Sequence, residues 1–204
     1  LDHRQIGAPA AAYIETHIEQ GPLLETAGKT IGVVTGIQGL RWYNIEIFGK
    51  TDHAGTTPIA LRKDAVRDAI NVINALRRLT QDADDITRFT VGRMLVTPNS
   101  PNSVASHVLF SVDIRHPDRE VIERLGNAVE ATARSALEQC TLSITPTLHD
   151  DPCVFHEQVV AAVQNAANTL GISNMRITSG ASHDANYMAR ICPGGMIFVP
   201  CRGG

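Results

Sequence analysis

Residues 108–115 set the tightest constraint on the fold. Val108, Phe110, Val112 and Ile114 fall on one face of an extended strand; Leu109, Ser111, Asp113 and Arg115 fall on the other. A period of two places one face in a core and leaves the other half solvated. Residues 41–49 repeat the pattern, with Tyr43, Ile45 and Ile47 on one side and Asn44 and Glu46 on the other. Such strands belong to an antiparallel sheet with helices on one face; its other face must be covered or stay polar. Two other segments read differently. Residues 31–37 are β-branched and bounded by glycines, and Met196–Val199 is apolar throughout, as in strands buried on both faces.

The segments between these strands define two architectures. A helix is predicted from about Ile59 to Thr80, with Ala65, Ala69, Val72, Leu76 and Leu79 at helical spacing and Val66, Ile70 and Ile73 widening the stripe. Thr57 fits its N-cap and Pro58 its first turn. Arg62, Lys63, Arg67, Arg77 and Arg78 read as its solvated face. Strands Thr87–Val96 and Val104–His116 follow, then a helix Arg119–Gln139 capped by Asp118, then a strand Thr141–Leu148. Strand, helix, strand, strand, helix, strand is the split βαβ, ferredoxin-like pattern. Beyond it come a helix Glu157–Leu170 stopped by Gly171, a strand Met175–Thr178, a helix His183–Ile191 and the apolar strand. One more strand lies within residues 11–20, carries His17 and is stopped by Gly21-Pro22. The expected fold is an α+β ferredoxin-like domain, residues 36–150, inserted in a partial α/β domain made of 1–35 and 151–204.

The chain has 204 residues, 43% hydrophobic and 19% charged, and a net charge of −3. That balance gives no pull toward nucleic acid or a membrane surface, and no apolar run of about 18 residues exists to span a bilayer. Cys140, Cys153, Cys192 and Cys201 show no C-x-x-C spacing, so reduced thiols and a cytoplasmic location are expected. No signal peptide is visible, and a start at Leu1 without methionine suggests a missing N-terminus.

Two stretches carry the chemistry: Thr16-His17-Ile18-Glu19-Gln20-Gly21-Pro22 and Asp52-His53-Ala54-Gly55-Thr56-Thr57-Pro58. Each puts a histidine beside small residues at the end of a strand. His17 reads either as a hydrogen-bonded surface histidine or as a metal ligand, and a catalytic metal needs about three protein ligands. Glu19 shares its strand face; Gln20 points the other way unless the turn has begun. His53 either satisfies its own turn or donates to a carbonyl oxygen that becomes negative during hydrolysis. Arg115 either pairs with Asp113 or grips a substrate carboxylate. Asn102 reads first as a turn residue. In Ser179-Gly180-Ala181-Ser182-His183-Asp184 a strand-to-helix turn can present backbone N–H groups. It lacks the G-x-S-x-G elbow of a serine hydrolase, and His183-Asp184 makes a poor triad pair. His3, His107, His116, His149 and His156 read as surface.

Together with Arg62, Asp64-Ala65, Val112–Arg115 and Met196–Pro200, these stretches resemble the hydantoinase/carbamoylase group of M20 metallopeptidase-like amidohydrolases. The resemblance covers nearly the whole chain, in order. It implies a di-metal α/β catalytic domain with a ferredoxin-like lid that dimerises. By that resemblance His17 is a metal ligand and Gln20 a substrate contact, and His53 is the catalytic lid histidine on the scissile group. Asn102 and Arg115 hold the substrate carboxylate, reaching into the partner subunit's site, and Gly180 and Ala181 offer backbone contacts to substrate. Two zinc or manganese ions are implied for the complete enzyme. The group's other ligands and its general-base glutamate match positions before Leu1, and its last histidine ligand lies just beyond Gly204. This chain alone is therefore expected to bind zinc weakly or not at all and to lack activity. Ala105-Ser106 replaces the group's usual Pro-Gly near Asn102. The implied reaction is cleavage of the ureido C–N bond of N-carbamoyl-L-amino acids. Alternatives are allantoate amidohydrolase, β-ureidopropionase, another M20 enzyme such as an aminoacylase or dipeptidase, or a non-catalytic dimerisation module.

Overall fold

A computed structural model describes residues 9–203; the surface reading of His3 lies outside them. In chain order the elements are β1 (Tyr13–Ile18), α1 (Leu23–Thr26), β2 (Ile31–Ile37), β3 (Gly39–Phe48), a 3₁₀ turn at Ile59–Leu61, α2 (Ala65–Leu79), β4 (Arg88–Thr90), β5 (Met94–Thr97), β6 (His107–His116) and α3 (Arg119–Ser135). There follow β7 (Thr141–Asp150), β8 (Cys153–Val154), α4 (Glu157–Thr169), β9 (Asn174–Ser179), α5 (Asp184–Met188) and β10 (Gly194–Val199). The chain is mixed α/β and divides into two compact units. One joins the described residues up to Gln38 with those from Pro152 on; the other is Gly39–Asp151. Among the described residues no helix is long and apolar enough to cross a membrane.

In the Gly39–Asp151 unit the sheet runs β4-β6-β3-β7, with β5 also on β6, and every pairing is antiparallel. The alternation is realised: Tyr43, Ile45, Ile47, Val108, Phe110, Val112 and Ile114 are buried against Ala65, Ala69, Val72 and Leu76 of α2 and Ile122, Leu125, Val129 and Ala133 of α3. The expected single strand over Thr87–Val96 is broken in two. Thr90 faces Asp113 and Met94 faces Phe110, so four steps on one strand oppose three on the other. The extra residue falls around Gly92 and forms a bulge.

Three expectations about the helices change. Asp64, not Thr57, caps α2, accepting the N–H groups of Val66 (3.0 Å) and Arg67 (3.3 Å). The chain needs this second start because Arg62 is extended after the 3₁₀ turn, at ψ 136°. Ile70 is 52% exposed and lies outside the packed stripe. α3 ends at Ser135 rather than Gln139 because buried Asp68 of α2 draws the chain away, accepting the N–H groups of Glu138 (3.0 Å), Gln139 (3.2 Å) and Cys140 (2.8 Å). Asp118 caps α3 as expected, through Val121 N–H (3.1 Å).

In the other unit β1 runs parallel to β10, β10 antiparallel to β2, and β2 parallel to β9. Val33, Val34, Ile177, Met196 and Phe198 meet Val160 and Val163 of α4 in its core. Gly32 allows this closeness: a Cβ there would lie 2.9 Å from Ile177 Cγ2 and 3.0 Å from Phe198 Cβ. Gly171 ends α4 with φ +65°, the left-handed stop expected of it. β10 is less enclosed than its composition suggests. Val199, opposite Ile18 at the sheet's end, is partly exposed. α5 is shorter than predicted because Arg190 and Ile191 bond back three residues, to Tyr187 and Met188, in a tightened last turn.

Candidate functional site

Alternation along β1 brings Glu15, His17 and Glu19 to one side. Nδ1 of His17 lies 2.8 Å from the Ile18 carbonyl oxygen. A carbonyl only accepts, so Nδ1 carries the proton and Nε2 keeps a lone pair, the arrangement of a histidine ready to ligate metal. Glu19 is already occupied, its carboxylate accepting the N–H groups of Leu23 (2.7 Å) and Leu24 (2.8 Å) at the start of α1. Gln20 is exposed with φ +54°, so the turn has begun at this residue.

Beside His17 sits a group that no short-range pattern in the sequence announces. The His183 ring meets His17 edge-on, centroids 4.7 Å apart. His183 Nε2 lies 2.9 Å from Ser179 Oγ, and Nδ1 lies 3.6 Å from Glu15 Oε1. The other Glu15 oxygen accepts the Ala185 N–H (2.8 Å). Burial, then the neighbouring His17, push the His183 imidazole below the ordinary histidine range, against the pull of Glu15 and Asp184. The acid partner of His183 is thus Glu15 and not the adjacent Asp184. Ser179 is buried, so its hydroxyl fastens the turn: it accepts the Ala181 N–H (3.1 Å) and lies 3.0 Å from the Ala181 carbonyl oxygen. Gly180 is exposed at the tip of that turn and Ala181 is half-buried.

In the Gly39–Asp151 unit His53 and Asn102 lie on two loops that are stitched together. His53 forms an isolated bridge with Ser103, Ala54 N–H donates to Asn102 O (2.9 Å), and Val104 N–H donates to Asp52 O (2.8 Å). The N–H groups of Gly55 (3.1 Å) and Thr56 (3.2 Å) both donate to His53 Nδ1. Two donors on Nδ1 leave the proton of the neutral ring on Nε2, on an exposed side chain. His53 is therefore built as a neutral hydrogen-bond donor. Asn102 Oδ1 accepts from Ser100 Oγ (2.7 Å).

Arg115 is not beside them. It binds Asp113 through Nε (3.0 Å) and Nη2 (2.6 Å) and pairs across the sheet with Leu40 and Arg88. It stands eight residues along β6 from His107, the end next to the Asn102 loop, which is about 26 Å of strand. Of the surface histidines, His107 pairs with Glu46 (2.9 Å) and His149 with Asp151 (3.1 Å). His116 instead is buried, accepting the Asp118 N–H at Nδ1 (3.0 Å). Arg62, read as solvated, is half-buried with its guanidinium on backbone carbonyls.

Among the described residues no three His, Cys, Asp or Glu side chains gather where they could hold a metal ion. His17 fits one ligand position and does not make a centre by itself.

The fold and these groups define a mixed α/β chain with a histidine whose Nε2 keeps a lone pair in one unit and a donor histidine in the other. Residues 4–204 match the model of Peptidase family M20/M25/M40, and the chain belongs to that family, whose members are generally dinuclear metal-dependent. It is 38% identical to an N-carbamoyl-L-amino-acid amidohydrolase of Rhizobium meliloti, over all of this chain and 50% of the relative. It is 35% identical to an allantoate amidohydrolase of Bacillus subtilis, over 95% of this chain and 48% of the relative. A crystal structure of a hydantoinase/carbamoylase family amidase from Burkholderia multivorans superposes with a TM-score of 0.90 at 42% identity, covering 96% of this chain and 48% of that one. The kinship with the hydantoinase/carbamoylase group read from the motifs is borne out. The chain spans about half the length of these relatives.

Proposed function

We propose that this chain is part of a metal-dependent amidohydrolase that cleaves the ureido C–N bond of N-carbamoyl-L-amino acids. The observation that carries the reading is His53: two backbone amides hold Nδ1 and present Nε2–H as a neutral donor, in a chain similar to proteins named for that reaction. Such a donor suits the oxygen of a carbonyl under attack, where charge grows only in the transition state. In this reading His17 ligates a zinc or manganese pair, which when bound supplies Lewis acidity toward water and carbonyl. Gln20 and the backbone of Gly180 and Ala181 contact substrate. Asp113 orients the Arg115 guanidinium toward the substrate carboxylate, and Asn102 adds a side-chain amide to the same ligand.

The Gly39–Asp151 unit is read as the ferredoxin-like lid, and the remainder as part of the catalytic α/β domain of a cytoplasmic enzyme. The separation along β6 supports a homodimer through the lid. One small acid cannot touch both His53 and Arg115 of a single protomer, whereas two copies can each supply one.

The test is a panel of N-carbamoyl-L-amino acids, allantoate and 3-ureidopropionate on the complete protein. His53→Ala is expected to lower kcat roughly 10²–10³-fold, and Arg115→Ala to raise KM steeply. An unchanged KM for a carboxylate substrate rejects the Arg115 role. Preference for allantoate replaces the substrate while keeping the reaction class, an outcome favoured by the Bacillus subtilis relative.

A further inference from the structure

We infer that Arg62 is the positioning residue that fixes the His53 ring as a donor. Arg62 lies in the extended link between the 3₁₀ turn and the Asp64 cap. Its Nη2 donates to the Ala54 carbonyl (2.6 Å) and its Nε to the Thr57 carbonyl (2.9 Å). The Ala54 carbonyl and the Gly55 N–H belong to one rigid peptide plane and point in opposite directions. Drawing that oxygen onto the guanidinium turns the Gly55 N–H the other way, onto His53 Nδ1 at 3.1 Å. The second prong holds Thr57, whose own N–H donates to His53 O (3.2 Å), so the turn is closed at both ends. A planar fork reaches both carbonyls at once; a lysine ammonium, a point donor on a flexible stem, holds one at a time. Gly55 keeps the turn tight against the ring: a Cβ there would lie 3.3 Å from His53 Cε1.

Arg62 is therefore assigned a positioning role, acting through His53 by way of the Ala54 and Thr57 carbonyls. Its importance for catalysis rests on the reading of His53 as the carbonyl donor; its effect on the ring does not. The test is long-range ¹H–¹⁵N NMR of the imidazoles in the ¹⁵N-labelled 204-residue chain, at a pH where the ring is neutral. The wild type is expected to show His53 as a single Nε2–H tautomer. Arg62→Met is expected to move both ring nitrogens toward a mixture, and Arg62→Lys to restore part of the difference, with the backbone resonances of β3 and β6 unchanged. An Nδ1–H tautomer in the wild type overturns the inference whether or not any variant folds, and so does an unaltered His53 pattern in folded Arg62→Met. In the complete protein Arg62→Met is expected to lower kcat up to roughly 10²-fold with little change in KM. Loss of the tautomer without loss of kcat upholds the positioning role and instead removes His53 from the reaction.

Discussion

Asp68 is the most committed single residue outside the candidate site. Burial alone would raise its carboxyl, but the backbone N–H groups of Cys140, Glu138 and Gln139 outweigh that and hold it below the ordinary carboxylate range. A folded-state pKa below the unfolded value of about 3.9 means its stabilisation is complete above that value. It is lost as pH falls through the lower folded value. Asp68→Asn is expected to cost about 2–3 kcal/mol at neutral pH and to flatten the acid limb of stability, read by urea unfolding at a series of pH values. Burial, and then the same carboxylate, press the neighbouring Cys140 thiol up to about 12, which disfavours the reactive thiolate. Neither partnership was legible in the sequence, because Asp68 and Cys140 are far apart in the chain. Glu15 and His183 teach the same lesson: an alternating strand gives the side on which a residue lies, not the distant group it meets.

At the scale of elements, periodicity read the interiors well and the ends poorly. The strand at 31–37, the body of the strand expected from about Val104 to His116 and the apolar stripe of α2 apart from Ile70 followed directly from spacing, since burial repeats with the backbone period. The start of α2 did not. Pro58 after Thr57 looks like a helix start, yet Arg62 needs an extended link to reach the carbonyls of Ala54 and Thr57, and Asp64 then begins the helix afresh. Asp64→Ala is therefore expected to lose about 1–2 kcal/mol, whereas Thr57→Ala stays within about 0.5 kcal/mol. The same comparison by thermal unfolding separates stripe from surface. Phe110→Ala, fully buried, is expected to cost about 3–5 kcal/mol, and Ile70→Ala about 0.5 kcal/mol or less.

For the whole molecule, the motifs read as a sequence led to the family, because His17, His53 and their small neighbours keep a fixed order along the chain. They did not show that Asn102 and Arg115 stand at opposite ends of β6, since sequence separation says little about distance across a sheet. If two copies share the work, the impaired variants His53→Ala and Arg115→Ala should complement each other when assayed at substrate well below the raised KM of Arg115→Ala. A mixed symmetric dimer contains one site with both groups intact, so random mixing is expected to restore about a quarter of wild-type activity. No recovery, with mixed dimers shown to form, places both groups in one protomer's site or removes one of them from the reaction.

Metal-dependent hydrolysis of a ureido C–N bond is the reaction proposed for the complete protein. Its most direct test is ammonia release from N-carbamoyl-L-amino acids by the complete protein, before and after chelation and again after zinc or manganese is restored. Turnover that chelation abolishes and metal returns is expected; absence of turnover in the metal-loaded protein, or turnover indifferent to chelation with metal removal verified, rules the reaction out.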